Sequence, residues 1–147
     1  MSMTTKHELG ASARAATSAA DEMAQVLALD ELLRRCMGCV PLAQRLLTSF
    51  EMRFNSEVEQ IVNSLHDGDV PRLVRLTHQL KGAAGNVSAL ELRQVLEAME
   101  MAAREKQLDR VVVLLPALNE EGARFAQCKV SALAALSRQA AASESTN

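Results

Sequence analysis

Apolar residues recur every three or four positions along most of the chain from residue 21 onward. This spacing is typical of amphipathic helices, since a half-buried strand would alternate apolar and polar residues. The pattern predicts a first helix from about Asp21 that is interrupted near Gly38. Four further helices are predicted: from Pro41 to Leu65, from about Val70 to Ala84, from the end of a Gly85–Leu90 turn to the Glu105–Gln107 segment, and from Leu108 as far as Leu136.

Residues that start and stop helices lie between these segments. Pro41 suits the first turn of a helix, where its missing N–H would have no partner in any case. Gly68 is predicted to adopt the left-handed conformation that ends a helix. Asp69 is predicted to cap the next helix, with Pro71 in its first turn. Pro116 is predicted to kink the last helix.

Short loops join these long segments, so consecutive helices are expected to pack antiparallel. The predicted fold class is all-α, an antiparallel up-and-down four-helix bundle with an additional N-terminal helix. Residues 21–136 would form this bundle. Residues 1–20 and 137–147 are predicted to be mobile tails, since they are small, polar and lack apolar periodicity. The core is expected to include Leu46, Phe50, Leu73, Leu80, Leu92, Leu96 and Met99.

The composition narrows the possible functions. The 147 residues are enough for one domain with its own core, and the set of 48% hydrophobic but only 2% aromatic residues favours helix over strand. With a formal net charge of −2, the chain lacks the overall positive charge that would attract nucleic acid. No apolar run approaches the roughly 20 residues that cross a bilayer. The N-terminus lacks the charged segment followed by an apolar segment that is typical of a signal peptide. We therefore expect a cytoplasmic protein with no nucleic-acid or membrane partner.

Cys36, Cys39 and Cys128 are odd in number, which argues against a disulfide framework. Cys36 and Cys39 form a C-x-x-C motif. A zinc site would need further Cys or His ligands at a matching spacing, and a redox motif of this kind usually follows a strand. Since the chain offers neither, structural cysteines are favoured, while a redox or metal role for the pair stays open.

The stretch from Thr77 to Ser88, THQLKGAAGNVS, places polar and small residues on one side of a helix. His78 lies roughly opposite the apolar stripe of this helix at about 100° per residue. Gly82 and Gly85 share that outer side, with Lys81 at its border. Each glycine in a helix interior costs about 1 kcal/mol relative to alanine, so a reason for both is needed. Close approach of another molecule to the imidazole would be one.

This stretch resembles the phospho-acceptor motif H-x-L-K-G-x-x-x-N of histidine-containing phosphotransfer (HPt) domains. The motif is matched by His78, Leu80, Lys81, Gly82 and Asn86. The resemblance extends over roughly residues 30–125, and it departs at position 88, where a serine stands in place of the family's usual glycine. It implies a bundle in which the histidine accepts a phosphoryl group from an aspartyl phosphate on a receiver domain and passes it to another aspartate.

A histidine in this role needs one nitrogen free to attack and the other held by an acceptor. In a hairpin of the third and fourth predicted helices, residues equidistant from the turn lie at similar heights. Position 89, inside that turn, is midway between His78 and Glu100. Glu100 also matches the acidic or amide residue that orients the histidine in HPt domains. The alternative is an ordinary ion pair of Glu100 with Arg104 at i+4.

Other candidate residues surround His78. Lys81 would screen the charge of the phosphate, and Gly82 would leave room for a partner. The alternatives are a solvated lysine and a glycine that permits close helix packing. The surface predicted to bind a partner contains Arg72, Arg75, Gln79 and Gly85, of which the two arginines could equally be solvated charges.

No nucleotide-binding loop or kinase signature accompanies the histidine, so autokinase activity is not expected. The expected partners are receiver domains of response regulators and of hybrid sensor histidine kinases, with magnesium held by the receiver. No cofactor or metal is expected on this chain, which should be a monomer with a free His78 face. Two other classes stay open: a scaffold bundle whose His78 is never phosphorylated, and a thiol switch that uses Cys36 and Cys39.

Overall fold

The computed structural model describes residues 26–145, so the tail predicted for residues 1–20 lies outside the described residues. The described part contains no strand. Its helices are α1 (Leu29–Arg35), α2 (Val40–Asp67), α3 (Val70–Asn86), α4 (Leu90–Arg104) and α5 (Leu108–Ser145). Helix α3 packs against α2 and α4, and α5 packs against α4 and α2. The predicted all-α class is therefore confirmed: α2–α5 form an up-and-down four-helix bundle, and α1 is the additional N-terminal helix.

Local sequence signals set the helix boundaries. Gly68 ends α2 with a left-handed φ of 68°. The side chain of Asp69 caps α3 by accepting a hydrogen bond of 3.2 Å from a backbone N–H of its first turn. Pro41 and Pro71 lie in the first turns of α2 and α3, as predicted. Pro116 lies inside α5, and the kink at this residue stays a prediction.

The turn between α3 and α4 contains a serine in a conformation that usually selects glycine. Ser88 has a φ of 60°. The end of α3 is closed by hydrogen bonds from Ala89 N–H to Ala84 O at 2.9 Å and from Ser88 N–H to Gly85 O at 3.1 Å. Ser88 is fully buried, and its Oγ has no hydrogen-bond partner within the described residues. Because this conformation costs an L-residue about 1–2 kcal/mol, the turn is strained at this position.

The core lies between the four long helices. Phe50, Leu73, Leu80, Leu92, Leu96 and Met99 are all buried, as predicted. The prediction for Leu46 is wrong, since 36% of this residue is exposed. Leu47 is fully buried instead. It shares the inner face of α2 with Ala43 and Phe50, whereas Leu46 is turned by about 100° away from Leu47.

The three phenylalanines form one cluster where α2 meets α5. The ring centroids of Phe50 and Phe125 are 5.0 Å apart in an edge-to-face arrangement, and those of Phe50 and Phe54 are 6.0 Å apart. Gly122 of α5 lies against the ring of Phe54, and a Cβ at this glycine would be 2.4 Å from Phe54 Cε1. The missing side chain at Gly122 therefore lets the Phe54 ring pack directly on the backbone of α5.

Helix α5 is longer than the apolar pattern predicted. It runs to Ser145, whereas a tail was predicted from residue 137. The added segment is rich in alanine, the strongest helix former, so it stays helical without an apolar stripe. Gln44 Nε2 donates to Ser137 Oγ at 3.3 Å, and Glu51 pairs with Lys129, so α2 and α5 remain side by side in this half of the molecule. The mobility of residues 137–147 stays a prediction.

Helix α1 is attached to the end of the α3–α4 hairpin. The N–H of Ala28, just before α1, donates to Ser88 O at 3.0 Å. Nη1 of Arg35, the last residue of α1, donates to Gly85 O at 2.6 Å. Cys36, the next residue, is only 3% exposed and belongs to the core. These contacts make α1 part of the same folded unit as α3.

Candidate functional site

His78 projects from the outer side of α3. Its side chain is 60% exposed, while Leu80 and Ala84 on the opposite side of the helix are fully buried. This placement agrees with the helical phase predicted from the sequence. The imidazole is therefore accessible to a large partner without any movement of the helix.

Glu100 reaches His78 from the neighbouring helix α4. Its Oε1 lies 2.5 Å from His78 Nδ1. The two residues face each other because α3 and α4 form an antiparallel hairpin whose turn is centred between them. The side chain of Glu100 is only 6% exposed, so the acceptor is almost buried while the imidazole remains in solvent. A short, fixed contact of this kind restrains the orientation of the ring.

Two cations hold the Glu100 carboxylate. Lys81 Nζ donates to Oε2 at 2.9 Å, and Arg104 Nη2 donates to Oε1 at 3.3 Å. Burial opposes ionisation of Glu100, but hydrogen bonds from Lys81, His78 and Arg104 outweigh it and hold the pKa of the carboxyl below its usual range. Glu100 is therefore an ionised acceptor at neutral pH, and two positive charges surround it.

The state of Glu100 determines the tautomer of His78. An ionised carboxylate can accept but not donate, so the proton in the contact must sit on Nδ1 of the neutral imidazole. The lone pair is then on Nε2, in a side chain that is largely exposed. This arrangement fits a nucleophilic ring nitrogen, with a carboxylate placed to stabilise the positive charge that develops when that nitrogen forms a bond.

The backbone around His78 carries little side-chain bulk. Gly82, one turn further along α3, is exposed. Among residues 26–145, a Cβ built on it would have no atom within 4 Å apart from its own helix. Gly85, almost two turns along, is half-buried, and a Cβ there would lie 3.6 Å from Arg93 Cδ. Gly82 therefore leaves open space beside the imidazole, whereas Gly85 lies against an arginine of α4.

The residues predicted to bind a partner lie along the same outer side of α3. Arg75 and Gln79 are exposed, and Arg72 and Gly85 are half-buried. The carbonyl oxygen of Gly85 is already occupied by Arg35 of α1. The structure thus brings these residues onto the His78 side of the bundle, and their contact with a partner stays a prediction.

Sequence reasoning missed part of this site. Arg104 was considered only as an alternative partner for Glu100, but the carboxylate binds Arg104 and His78 at the same time. The i+4 spacing of Glu100 and Arg104 was a sufficient signal for this contact. The contact of Arg35 with Gly85 spans 50 positions and left no comparable signal.

Residues 26–145 hold no group of three or more His, Cys, Asp or Glu side chains that could bind a metal ion. Within the same range no helix is both long and apolar enough to span a bilayer.

The chain is similar to the Hpt domain and to two solved structures of histidine-containing phosphotransfer proteins. A family model described as the Hpt domain matches residues 45–128. A crystal structure of histidine-containing phosphotransfer protein B from Pseudomonas aeruginosa superposes with a TM-score of 0.56 and 24% identity, over 65% of this chain and 80% of that one. A putative histidine-containing phosphotransfer protein from rice superposes with a TM-score of 0.69 and 16% identity, over 90% of this chain and 96% of that one. No curated protein sequence matches the chain.

Proposed function

The chain belongs to the Hpt domain family, and we propose that it relays a phosphoryl group between aspartates of receiver domains through His78. The observation that carries this proposal is the contact between His78 Nδ1 and the ionised Glu100, because it leaves Nε2 as the free nucleophile. The Hpt model covers the whole of α3 and α4, where this contact is made.

In the forward step, the lone pair of His78 Nε2 attacks the phosphorus of an aspartyl phosphate. The new N–P bond forms as the bond from phosphorus to the aspartate oxygen breaks, and the aspartate leaves as a carboxylate. The imidazole, still protonated on Nδ1, becomes positively charged, and Glu100 stabilises that charge through its 2.5 Å contact. In the return step, an aspartate oxygen of a second receiver attacks phosphorus, and the electrons of the N–P bond return to Nε2.

Lys81 has two tasks in this proposal. It holds Oε2 of Glu100 at 2.9 Å, which keeps the carboxylate ionised and fixed. Its side chain is 23% exposed beside the imidazole, so its charge also favours the phosphorylated state, which adds about −1.5 to −2 charges. Arg104 holds the other oxygen, so loss of either cation leaves Glu100 with one.

Gly82 provides the clearance that the partner needs. A receiver must bring a buried acidic pocket within bonding distance of Nε2, and the open space over Gly82 admits it. Arg72, Arg75 and Gln79 would contact the acidic rim of that pocket. In this proposal the protein acts in the cytoplasm as a monomer, and its partners are receiver domains of response regulators and hybrid sensor kinases that supply the magnesium.

The proposal is tested by phosphorylation of the purified chain. Wild type and His78→Gln are incubated with phosphoramidate, a small donor that needs no matched receiver, and separately with a panel of phosphorylated receiver domains. We expect acid-labile, base-stable phosphate on the wild type alone, and its loss when an unphosphorylated receiver is added. Wild-type protein that stays unlabelled with both kinds of donor would instead support a scaffold role.

A further inference from the structure

Cys36 and Cys39 bracket the turn between α1 and α2, and the proposed phosphotransfer uses neither. Cys36 is 3% exposed, whereas Cys39 is exposed. The N–H of Cys39 donates to Cys36 O at 3.0 Å, which is the hydrogen bond of a β-turn. A β-turn holds its first and fourth Cα atoms within about 7 Å, and disulfides span Cα separations of about 4.4–6.8 Å. The backbone of this turn is therefore compatible with a disulfide.

We propose that Cys36 and Cys39 form a reversible intramolecular disulfide when the protein meets a hydroperoxide, and that this bond changes how α1 holds the end of α3. The turn has two consecutive left-handed residues, Met37 with a φ of 56° and Gly38 with a φ of 77°. Met37 is 94% exposed, so the turn is open to solvent and to an oxidant on its outer side.

The two thiols have different exposures, and these suit different steps. The exposed Cys39 thiolate attacks one oxygen of the hydroperoxide, the O–O bond breaks, and an alcohol or water leaves after protonation. Cys39 is then a sulfenic acid. Cys36 attacks the Cys39 sulfur, the S–S bond forms, and water leaves. The two sulfurs together lose two electrons, which reduce the hydroperoxide.

The buried thiol suits the second step better than the first. Burial raises the pKa of the Cys36 thiol, and the nearby Cys39 adds to this effect. A buried, protonated thiol is protected from direct oxidation until the neighbouring sulfur is already activated. Cys128 lies on α5, half-buried in a groove lined by Leu27 and Leu29, outside this turn.

The link to α3 runs through Arg35. This residue precedes Cys36 and donates to Gly85 O at 2.6 Å. Cys36 is packed in the core and Cys39 is exposed, and in this proposal the Cys36 sulfur leaves its core position to form the bond. The last turn of α1 then moves, and the contact of Arg35 with Gly85 weakens. Gly85 lies on the same side of α3 as His78, so oxidation would alter one end of that surface.

The chain offers a direct test, because trypsin releases both cysteines in one peptide, residues 36–45 (CMGCVPLAQR), and Cys128 in another, residues 125–129 (FAQCK). The full-length protein is treated with hydrogen peroxide, alkylated and digested. We expect the two cysteines of the first peptide to lose two hydrogen atoms together and to escape alkylation, while the cysteine of the second peptide is alkylated. Dithiothreitol should reverse the change. The proposed Cys36–Cys39 disulfide would be wrong if Cys39 gained oxygen, if either cysteine were bonded to Cys128, or if a disulfide-linked dimer formed. Its reversibility would be wrong if dithiothreitol did not restore the two thiols.

Coupling to α3 is measured by NMR on the same samples, through the backbone amide signals of Gly85 and Ser88. We expect both signals to shift on oxidation of the wild type and to stay in place in Cys39→Ser. This control is suited to the site, since residue 39 is the N-cap of α2 and serine is a favourable N-cap. A disulfide that leaves both signals unmoved would overturn the coupling. Neither readout depends on phosphotransfer.

Discussion

Gly82 and Gly122 are both glycines in the interior of a helix, and their surroundings are opposite. A Cβ added to Gly82 would enter open space on the outer side of α3, whereas a Cβ added to Gly122 would be 2.4 Å from the Phe54 ring at the α2–α5 interface. Each glycine lowers the intrinsic stability of its helix by about 1 kcal/mol. At Gly122 the gain is internal packing. At Gly82 no other part of residues 26–145 occupies the space, and in the proposed function this space admits the partner.

The largest effect is expected when the open space is filled. Gly82→Gln should slow transfer from a phosphorylated receiver by about 100-fold, because the added side chain displaces the partner from the attacking nitrogen. The free energy of unfolding should stay constant or rise by up to about 1 kcal/mol, since glutamine is a better helix former. Rates come from transfer assays and stability from urea unfolding. If Gly82→Gln transferred at the wild-type rate, the open space at Gly82 would not be needed by the partner.

The complementary change acts on the α2–α5 interface. Gly122→Ala should lower the free energy of unfolding by about 1–3 kcal/mol, because the new Cβ overlaps the Phe54 ring. Transfer by the folded protein should be unchanged. Gly82→Ala is the matched control, since it makes the same substitution where no other described residue stands in the way of the new Cβ. If Gly122→Ala were as stable as the control, the packing account of this glycine would be wrong.

Substitution of Glu100 tests whether a buried residue of this protein can serve transfer rather than stability. It is as buried as the interface residues, yet it contacts His78. Glu100→Ala should slow transfer by about tenfold through loss of ring orientation. Its effect on stability should be about 1 kcal/mol, since Lys81 and Arg104 can be hydrated instead. Glu100→Gln, which keeps an acceptor oxygen, should lie between alanine and wild type. A purely structural Glu100 would give the reverse, a large loss of stability with an unchanged rate.

Position 88 would favour glycine for a third reason, because its backbone is left-handed. Ser88 and Gly68 have φ values of 60° and 68° at equivalent ends of α3 and α2. Ser88→Gly should raise the free energy of unfolding by about 1 kcal/mol, since it relieves the strain and removes a buried hydroxyl that has no hydrogen-bond partner among residues 26–145. Gly68→Ser is the reciprocal change and should lower stability by a similar amount. Equal stabilities of Ser88→Gly and wild type in urea unfolding would show that the turn is not strained.

Much of the site could be predicted from the sequence because it depends on helical periodicity. The outward phase of His78 follows from the apolar stripe of α3, and its pairing with Glu100 follows from the symmetry of a hairpin about position 89. Close helix packing, the alternative considered for Gly82, applies instead to Gly122, which lies against the Phe54 ring. The sequence alone does not show which glycine faces a ring.

The failures have physical causes too. Leu46 and Leu47 are adjacent leucines in α2, so periodicity could not decide which one faces the core. The end of α5 is helical because of alanine propensity rather than apolar spacing, and a search for spacing overlooks it. The contact of Arg35 with Gly85 joins two helices that are distant in sequence, and no local pattern encodes such a contact.

The proposed transfer mechanism depends most on which nitrogen of His78 carries the phosphoryl group. NMR of the phosphorylated chain with ¹⁵N-labelled histidine identifies that nitrogen by its coupling to phosphorus. The contact of Nδ1 with Glu100 predicts phosphate on Nε2, with the Nδ1 proton retained. Phosphate on Nδ1 would contradict the account directly, because that nitrogen could not bond to Glu100 and to phosphorus at once.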